Sequence, residues 1–261
     1  MPDPVLLETH GTVAVVTLNR PEVLNALSAG MAVGLREIMY KVEADKTIRA
    51  VLLKGAGRGF MAGGDVAGFH ENLDHLPLHI GAMLDDYHAA IRAMVRMEKP
   101  VIAALHGPVA GAGMSLALTT DLAIAGDNLM MTLAYAKLGT SPDGGSTYFL
   151  PRLVGRRKAM EIALLSDRFN AEEALAMGLV NKVIPADALE AEAMRWAEKL
   201  AAGPAFAYGW TKKLMDQSFH TDLDRQLEAE RDGIVSCAGS ADMHEGIRAF
   251  ADKRDAVFKG E

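Results

Sequence analysis

In the stretch Leu138 to Thr147, LGTSPDGGST, one acidic side chain, Asp143, stands between a proline and two glycines in an otherwise uncharged run. The segment before it, MMTLAYAKLGTSP, carries Lys137 as its single charge. A carboxylate desolvated in such surroundings has a raised pKa, which suits proton transfer near neutral pH. Asp is also a preferred helix N-cap, and Pro-Asp-Gly-Gly-Ser ahead of an amphipathic segment is good helix-start chemistry. Both readings stand on the residues alone.

Two glycine-rich stretches offer groups of another kind. GAGRGFMAGGD follows the β-branched run at Val51–Lys54, and HGPVAGAGMS follows Val101–Leu105. Strand ends are where open α/β sheets bind ligands. Phe60 and Leu116 stand where G-x-G-x-x-G needs glycine, and no Lys-Ser or Lys-Thr follows a glycine, so neither dinucleotide nor triphosphate binding is favoured. Without a Cβ, glycine lets backbone N–H groups approach a ligand closely, and two such donors can converge on a developing oxyanion. The candidate donors are the amides of Gly64 and Ala112, the latter at a predicted helix start. The plainer alternative is that these glycines only make turns.

Other residues are weaker candidates. GMSLA is one substitution short of G-x-S-x-G, with Asp143, His220 and His244 downstream in the order of a hydrolase triad. Ser115, however, lies about ten residues beyond the preceding strand, inside a predicted helix, whereas a nucleophile elbow follows its strand directly. The eight histidines include no H-E-x-x-H pair and HENLDH is polar, so no metal site is expected. His88 lies on a predicted helix leading toward the second glycine loop. Met130, Met131 and the other mid-chain methionines read as apolar lining of a core or pocket.

The elements that must position these groups follow from patterning. TVAVVTLN and RAVLLKG read as strands, with a helix predicted over PEVLNALSAGMAVGLREIMYKVEAD between them. The order recurs: an amphipathic segment at Leu76–Met97, a strand at VIAALHG, a helix from about Gly111, and a strand at DLAIAGDN. Strands apolar on both faces, alternating with helices, predict an α/β fold with a mostly parallel sheet. From about residue 186 four helices are predicted, LEAEAMRWAEKLAAG, AFAYGWTKKLMDQSF, LDRQLEAERDGIVSCAG and ADMHEGIRAFADKRDAVF, broken at Gly203-Pro204 and Gly239-Ser240. Residues 1–185 are thus expected to form the α/β core and 186–261 a helical region, folded back on that core or packed on a neighbouring subunit.

Bulk properties exclude several classes. A chain of 261 residues, 50% of them hydrophobic, can bury a large core, and a formal charge of -7 with scattered Lys and Arg gives no support for nucleic-acid binding. The single Cys237 excludes an intramolecular disulfide and fits a reducing compartment. The N-terminus lacks a basic n-region and a long apolar h-region, so no secretory signal is expected. The uncharged run Val101–Thr120 has a membrane span's length, but Pro108, three glycines and His106 break it.

Taken together, VVTLNRPEVLNALS, GRGFMAGGD, KPVIAALHGPVAGAGMSLALTTDLAIAG, LPRLVGRRKAMEIALL, NAEEALAMGLVNKVIP and HEGIRAFADKRDAVF resemble the crotonase, or enoyl-CoA hydratase/isomerase, superfamily nearly end to end. The resemblance implies a core of ββα-spiral units, a helical C-terminal trimerisation region, acyl-CoA thioester substrates and an oxyanion hole whose two donors map onto the Gly64 and Ala112 amides. It points to Arg20, Leu24, Ala62 and Asp65 as lining the CoA site, with His88 and Tyr135 also expected at the substrate and Phe250 and Lys253 contributed from another subunit. It implies a cytoplasmic homotrimer or dimer of trimers with no cofactor, coenzyme A being part of the substrate. Hydratases of this group use two glutamates, and motif alignment places those positions at Ser115 and Tyr135, neither a carboxylate. The acid stands instead at Asp143, as in dienoyl-CoA and epoxyphenylacetyl-CoA isomerases and in 4-chlorobenzoyl-CoA dehalogenase. An isomerase needs a single base, which favours isomerisation over hydration. A dehalogenase would use Asp143 as nucleophile; His88, twelve residues before Pro100, falls at a matching spacing, but Tyr135 replaces the expected tryptophan. A non-catalytic acyl-CoA-binding role is the remaining alternative.

Overall fold

The computed structural model describes residues 2–260. Its centre is a six-stranded sheet. β1 (Val5–His10) pairs antiparallel with β2 (Val13–Leu18), and β2 continues in parallel register to β3 (Ala50–Gly55), β4 (Val101–Leu105), β6 (Leu122–Gly126) and β9 (Lys182–Ile184). Period-two alternation divides the strand residues between two cores. Ala14, Val16, Val51, Leu53, Ala103 and Leu105 pack with α1 (Ala29–Ala44) and α3 (Leu76–Arg96) on one face. Val13, Val15, Leu52, Ile102, Ala104 and Ile124 face α7 (Leu189–Ala201), whose Leu189, Ala193, Ala197 and Ala201 recur every fourth residue and form one stripe. Small alanines let this helix lie close to the sheet, so α7 belongs by packing to the α/β core.

A second, three-stranded sheet joins β5 (Pro108–Ala110), β7 (Met130–Thr132) and β8 (Phe169–Asn170). Strands of two or three residues carry no readable period, and these have no counterpart in the expected elements. Nor does β1, whose VLLETH is mostly exposed and lacks alternation. Two expected helices are shorter than their patterns. The first begins at Ala29, where the Ser28 side chain accepts the Met31 N–H at 3.3 Å; before it, Leu24 and Asn25 adopt left-handed backbone at φ 52° and 57°. The last, α10 (Ala241–Asp252), stops at a left-handed Lys253, and residues 254–260 fold back. There the N–H groups of Lys259 and Gly260 donate to the buried Asp242 carboxylate at 2.6 and 2.7 Å, and Arg49 donates to the Phe258 carbonyl at 3.1 Å.

The remaining helices are α2 (Val66–Glu71), α4 (Ala112–Leu118), α5 (Ser146–Leu165, broken at Gly155), α6 (Ala171–Ala176), α8 (Ala205–Ser218) and α9 (Leu223–Ala238). Helices α8, α9 and α10 pack in series and leave Phe219, Leu223, Ile234, Ile247 and Phe250 exposed. Among the described residues, no helix is long and apolar enough to cross a membrane. Met131 lies in the core as expected; Met130 faces outward.

Candidate active site

Parallel strands place their C-terminal ends side by side, so the loops after β3 and β4 meet. Met61 and Val109 form a bridge, and the Ala110 N–H donates to the Met61 carbonyl at 2.9 Å. The approach is so close at Gly113 that a Cβ would fall 2.0 Å from the Met61 oxygen, so glycine is required there.

This junction presents the two amides singled out in the sequence. Leu27 pairs with the first loop by donating to the Gly63 carbonyl at 2.8 Å and accepting from the Asp65 N–H at 2.9 Å. Alternation along the backbone turns the Gly64 N–H to the opposite side, where it has no protein acceptor among the described residues. Ala112 is the first residue of α4, and its N–H is one of the orphan donors of a helix start. Both amides are therefore free to donate, and the helix end favours the negative charge they would stabilise. The Ala112 carbonyl is fixed by the buried Tyr87 hydroxyl, which donates to it at 2.7 Å.

Asp143 is not an N-cap. The cap of α5 is Gly145, and it is the backbone carbonyl of Asp143 that accepts from the Ser146 N–H at 3.1 Å and hydroxyl at 2.9 Å. The carboxylate is turned the other way. Oδ1 accepts a 2.7 Å hydrogen bond from the buried Tyr135 hydroxyl, and that hydroxyl lies 3.0 Å from Ser115 Oγ on α4. Ser115 Oγ in turn lies 3.3 Å from the Gly111 carbonyl. Burial raises the Asp143 carboxyl above the usual aspartate range, against the Tyr135 hydrogen bond and the nearby His88, which lower it. The same burial, with the Asp143 charge beside it, pushes the Tyr135 phenol well above its ordinary value, so it remains a neutral donor.

Ser115 and Tyr135, where the resemblance places the glutamates of a hydratase, thus form a hydroxyl pair hydrogen-bonded through Tyr135 to Asp143. Residue types alone marked Ser115 and Tyr135 as missing carboxylates; their hydrogen bonds required the fold. Tyr87 was likewise unmarked, being one aromatic within the apolar stripe of α3. Ser115 lies inside α4, 0% exposed, which excludes a nucleophile-elbow geometry. His88 reaches the site from α3, where its Nε2 accepts the Gly144 N–H at 3.3 Å.

The four expected CoA-site residues also gather. Arg20 pairs with Asp65 at 2.9 Å and donates to the Ala26 carbonyl at 2.7 Å, while the Ala62 N–H donates to the Leu24 carbonyl at 3.0 Å. Their frame is Asn25, fully buried, which donates to the carbonyls of Ala56, Gly59 and Phe60 and accepts from the Arg20 N–H. Asp65 also caps α2, accepting the Gly68 N–H at 3.2 Å, and Phe69 of α2 lies against Gly64. Phe250 and Lys253 stand apart at the end of α10, Phe250 being 87% exposed. No cluster of three or more His, Cys, Asp or Glu side chains able to hold a metal occurs among the described residues.

Comparison with known proteins agrees with this architecture. The family model for enoyl-CoA hydratase/isomerase matches residues 8–261. The 1,2-epoxyphenylacetyl-CoA isomerase of Escherichia coli is 38% identical over 98% of each chain, and a crotonyl-CoA hydratase of Syntrophomonas wolfei is 34% identical over 97% of each. The crystal structure of an enoyl-CoA hydratase from Polaromonas superposes with a TM-score of 0.93 at 33% identity, covering 98% of this chain and 99% of that one. The fold is that of the crotonase superfamily.

Proposed function

We propose that this chain, which belongs to the enoyl-CoA hydratase/isomerase family, is an acyl-CoA isomerase that works through an enolate, with Asp143 as its acid and base. The observation that carries the reading is the state of the Asp143 carboxylate: Oδ1 is tied to Tyr135, and Oδ2 accepts no hydrogen bond from the described residues. With the thioester oxygen on the Gly64 and Ala112 amides, Asp143 removes a proton α or γ to the thioester. The electron pair of the C–H bond moves into the conjugated system and the oxygen becomes an enolate. The two N–H groups stabilise that charge where it develops. Asp143 then returns the proton to the other end of the dienolate and the double bond has moved. Opening of an epoxide neighbouring the thioester would use the same enolate.

Hydration is the alternative within the family. It needs polar groups free to hold and activate a water molecule, yet Ser115 and Tyr135 are engaged with each other and with Asp143. A dehalogenase-like reaction would leave a covalent adduct on Asp143, visible by mass spectrometry, and a binding-only member would turn over no acyl-CoA. The paired Arg20–Asp65 frame supports binding of the CoA moiety beside the first glycine loop. The exposed apolar faces of α8 to α10 support a homotrimer in which Phe250 and Lys253 of one copy reach the CoA of its neighbour. Coenzyme A enters as part of the substrate, no separate cofactor is required, and the cytoplasm is the proposed location.

Asp143→Asn tests the assignment. In deuterium oxide the variant is expected to lose exchange of the substrate's α or γ protons while still binding an acyl-CoA. Undiminished exchange would remove Asp143 from the mechanism.

A further inference from the structure

Asp143 has two carboxylate oxygens, and the hydrogen-bonded chain that reaches it treats them differently. We infer that Tyr135 is a positioning residue that reserves Oδ1 and leaves Oδ2 as the oxygen that both removes and returns the proton, with Ser115 holding Tyr135 in that role. This deepens the isomerase reading of the same site and rests on it.

The argument is one of donors and acceptors. Tyr135 has one hydroxyl proton and gives it to Asp143 Oδ1 at 2.7 Å, so towards Ser115 it can only accept. Ser115 then donates across the 3.0 Å contact, with the Gly111 carbonyl a longer second acceptor at 3.3 Å. A proton placed on Oδ1 would reverse the whole series. Tyr135 would have to donate to Ser115, and Ser115 would be left with the longer bond to Gly111. A proton on Oδ2 disturbs none of these bonds, so the chain selects Oδ2.

The same chain fixes where the base stands relative to the enolate. Gly111, Ala112 and Ser115 belong to one turn at the start of α4, so the element that offers the Ala112 amide also anchors the orientation of Asp143. A base that removes and returns the proton through a single oriented oxygen transfers it on one face and retains it between the two carbons. The titratable groups facing Asp143 are Tyr135 on the turn before Gly139, and Tyr87 and His88 on α3. Tyr87 is committed to the Ala112 carbonyl and His88 to the Gly144 amide, so neither competes for Oδ1.

Tyr135→Phe removes the hydroxyl and keeps the ring. Expected are a kcat lowered about tenfold, the loss of one oriented hydrogen bond at the base, with KM for the acyl-CoA within about twofold, because the residue holds the base rather than the thioester. Two further readouts separate positioning from simple loss of structure. The acidic limb of the kcat profile moves to higher pH, since the carboxylate loses a donor. The fraction of label moved from one carbon to the other, rather than exchanged with deuterium oxide, falls. Ser115→Ala should move both readouts the same way by less, and it decides the matter where Tyr135→Phe does not fold. Wild-type proton retention together with a wild-type acidic limb in the folded variant overturns the inference. Loss of exchange in Asp143→Asn alongside that result would leave the acid/base assignment standing while removing the role of Tyr135.

Discussion

Gly144 joins the acid to its surroundings, and replacing it with alanine tests how the site is held. The residue has φ +59°, and an added Cβ would lie 2.8 Å from Ser115 Cβ and 2.8 Å from Tyr87 Cε1. Both neighbours are 0% exposed, so neither can swing into solvent to make room. A left-handed backbone costs a non-glycine residue about 1–2 kcal/mol. Overpacking a closed site adds about 1–3 kcal/mol, for a total of about 2–5 kcal/mol. Gly139→Ala supplies the control: its φ is +70°, but a Cβ there meets nothing within 4 Å, so only the backbone cost of about 1–2 kcal/mol applies.

Urea denaturation of the two variants should therefore give midpoints in the order parent, Gly139→Ala, Gly144→Ala, with an unchanged slope. Activity should separate them further. Relieving the collision pushes residues 143–145 away from α4 by several tenths of an ångström to about 1 Å, stretching the Tyr135–Asp143 bond and the His88–Gly144 contact. Misplacement on that scale costs roughly 10- to 100-fold in turnover, whereas Gly139→Ala should stay within about threefold of the parent. A Gly144→Ala protein as stable as Gly139→Ala, or one with full turnover, would refute the claim that this close packing sets the position of the acid.

Asn25→Ala should destabilise by about 3–4 kcal/mol in the same denaturation assay, because three carbonyls of the first glycine loop lose their donor and alanine tolerates the left-handed backbone less well. Asp242→Ala should cost about 3–5 kcal/mol by removing two charge-assisted bonds, and should make residues 254–260 the first site cut in limited proteolysis. For Asp143 the sign is reversed. Burial raises its carboxyl above the ordinary value near 3.8, so the folded protein binds that proton more tightly than the unfolded chain, and ionisation lowers stability as pH rises through the raised value. Asp143→Asn is therefore expected to melt higher than the parent at neutral pH while inactive, with the advantage shrinking in acid and gone below the ordinary aspartate pKa; a variant that melts lower at pH 7 would contradict the assigned desolvation.

Much of the frame was legible because burial on both faces leaves a direct trace. Val13–Leu18, Ala50–Gly55 and Val101–Leu105 are largely apolar runs of the kind a covered parallel sheet accommodates, and glycine loops after the last two pointed to the end of the sheet where the candidate site lies. Asp143 was conspicuous as a lone acid in an uncharged run, but residues 136–141 before it are exposed, and its burial comes from Tyr135 and from groups on other elements. What it touches was not legible. Tyr135 reaches it across eight residues only because a short 3-10 turn and a left-handed Gly139 fold the segment back, and no periodicity encodes that reversal. The left-handed Lys253 that ends α10 is equally silent, since neither glycine nor proline announces it.

The substitutions at Ser115 and Tyr135 show how such silence bears on function. By residue type they subtract two carboxylates from a hydratase pattern, which says what the site lacks. By geometry they add a donor and its support to the remaining acid. A buried carboxylate with no partner would be driven neutral by desolvation and would make a poor base; one held by a neutral phenol keeps a basic oxygen in a dry site. On the proposed isomerase reading, the same two positions that leave no second carboxylate for water addition hold the one aspartate that would move a proton between carbons.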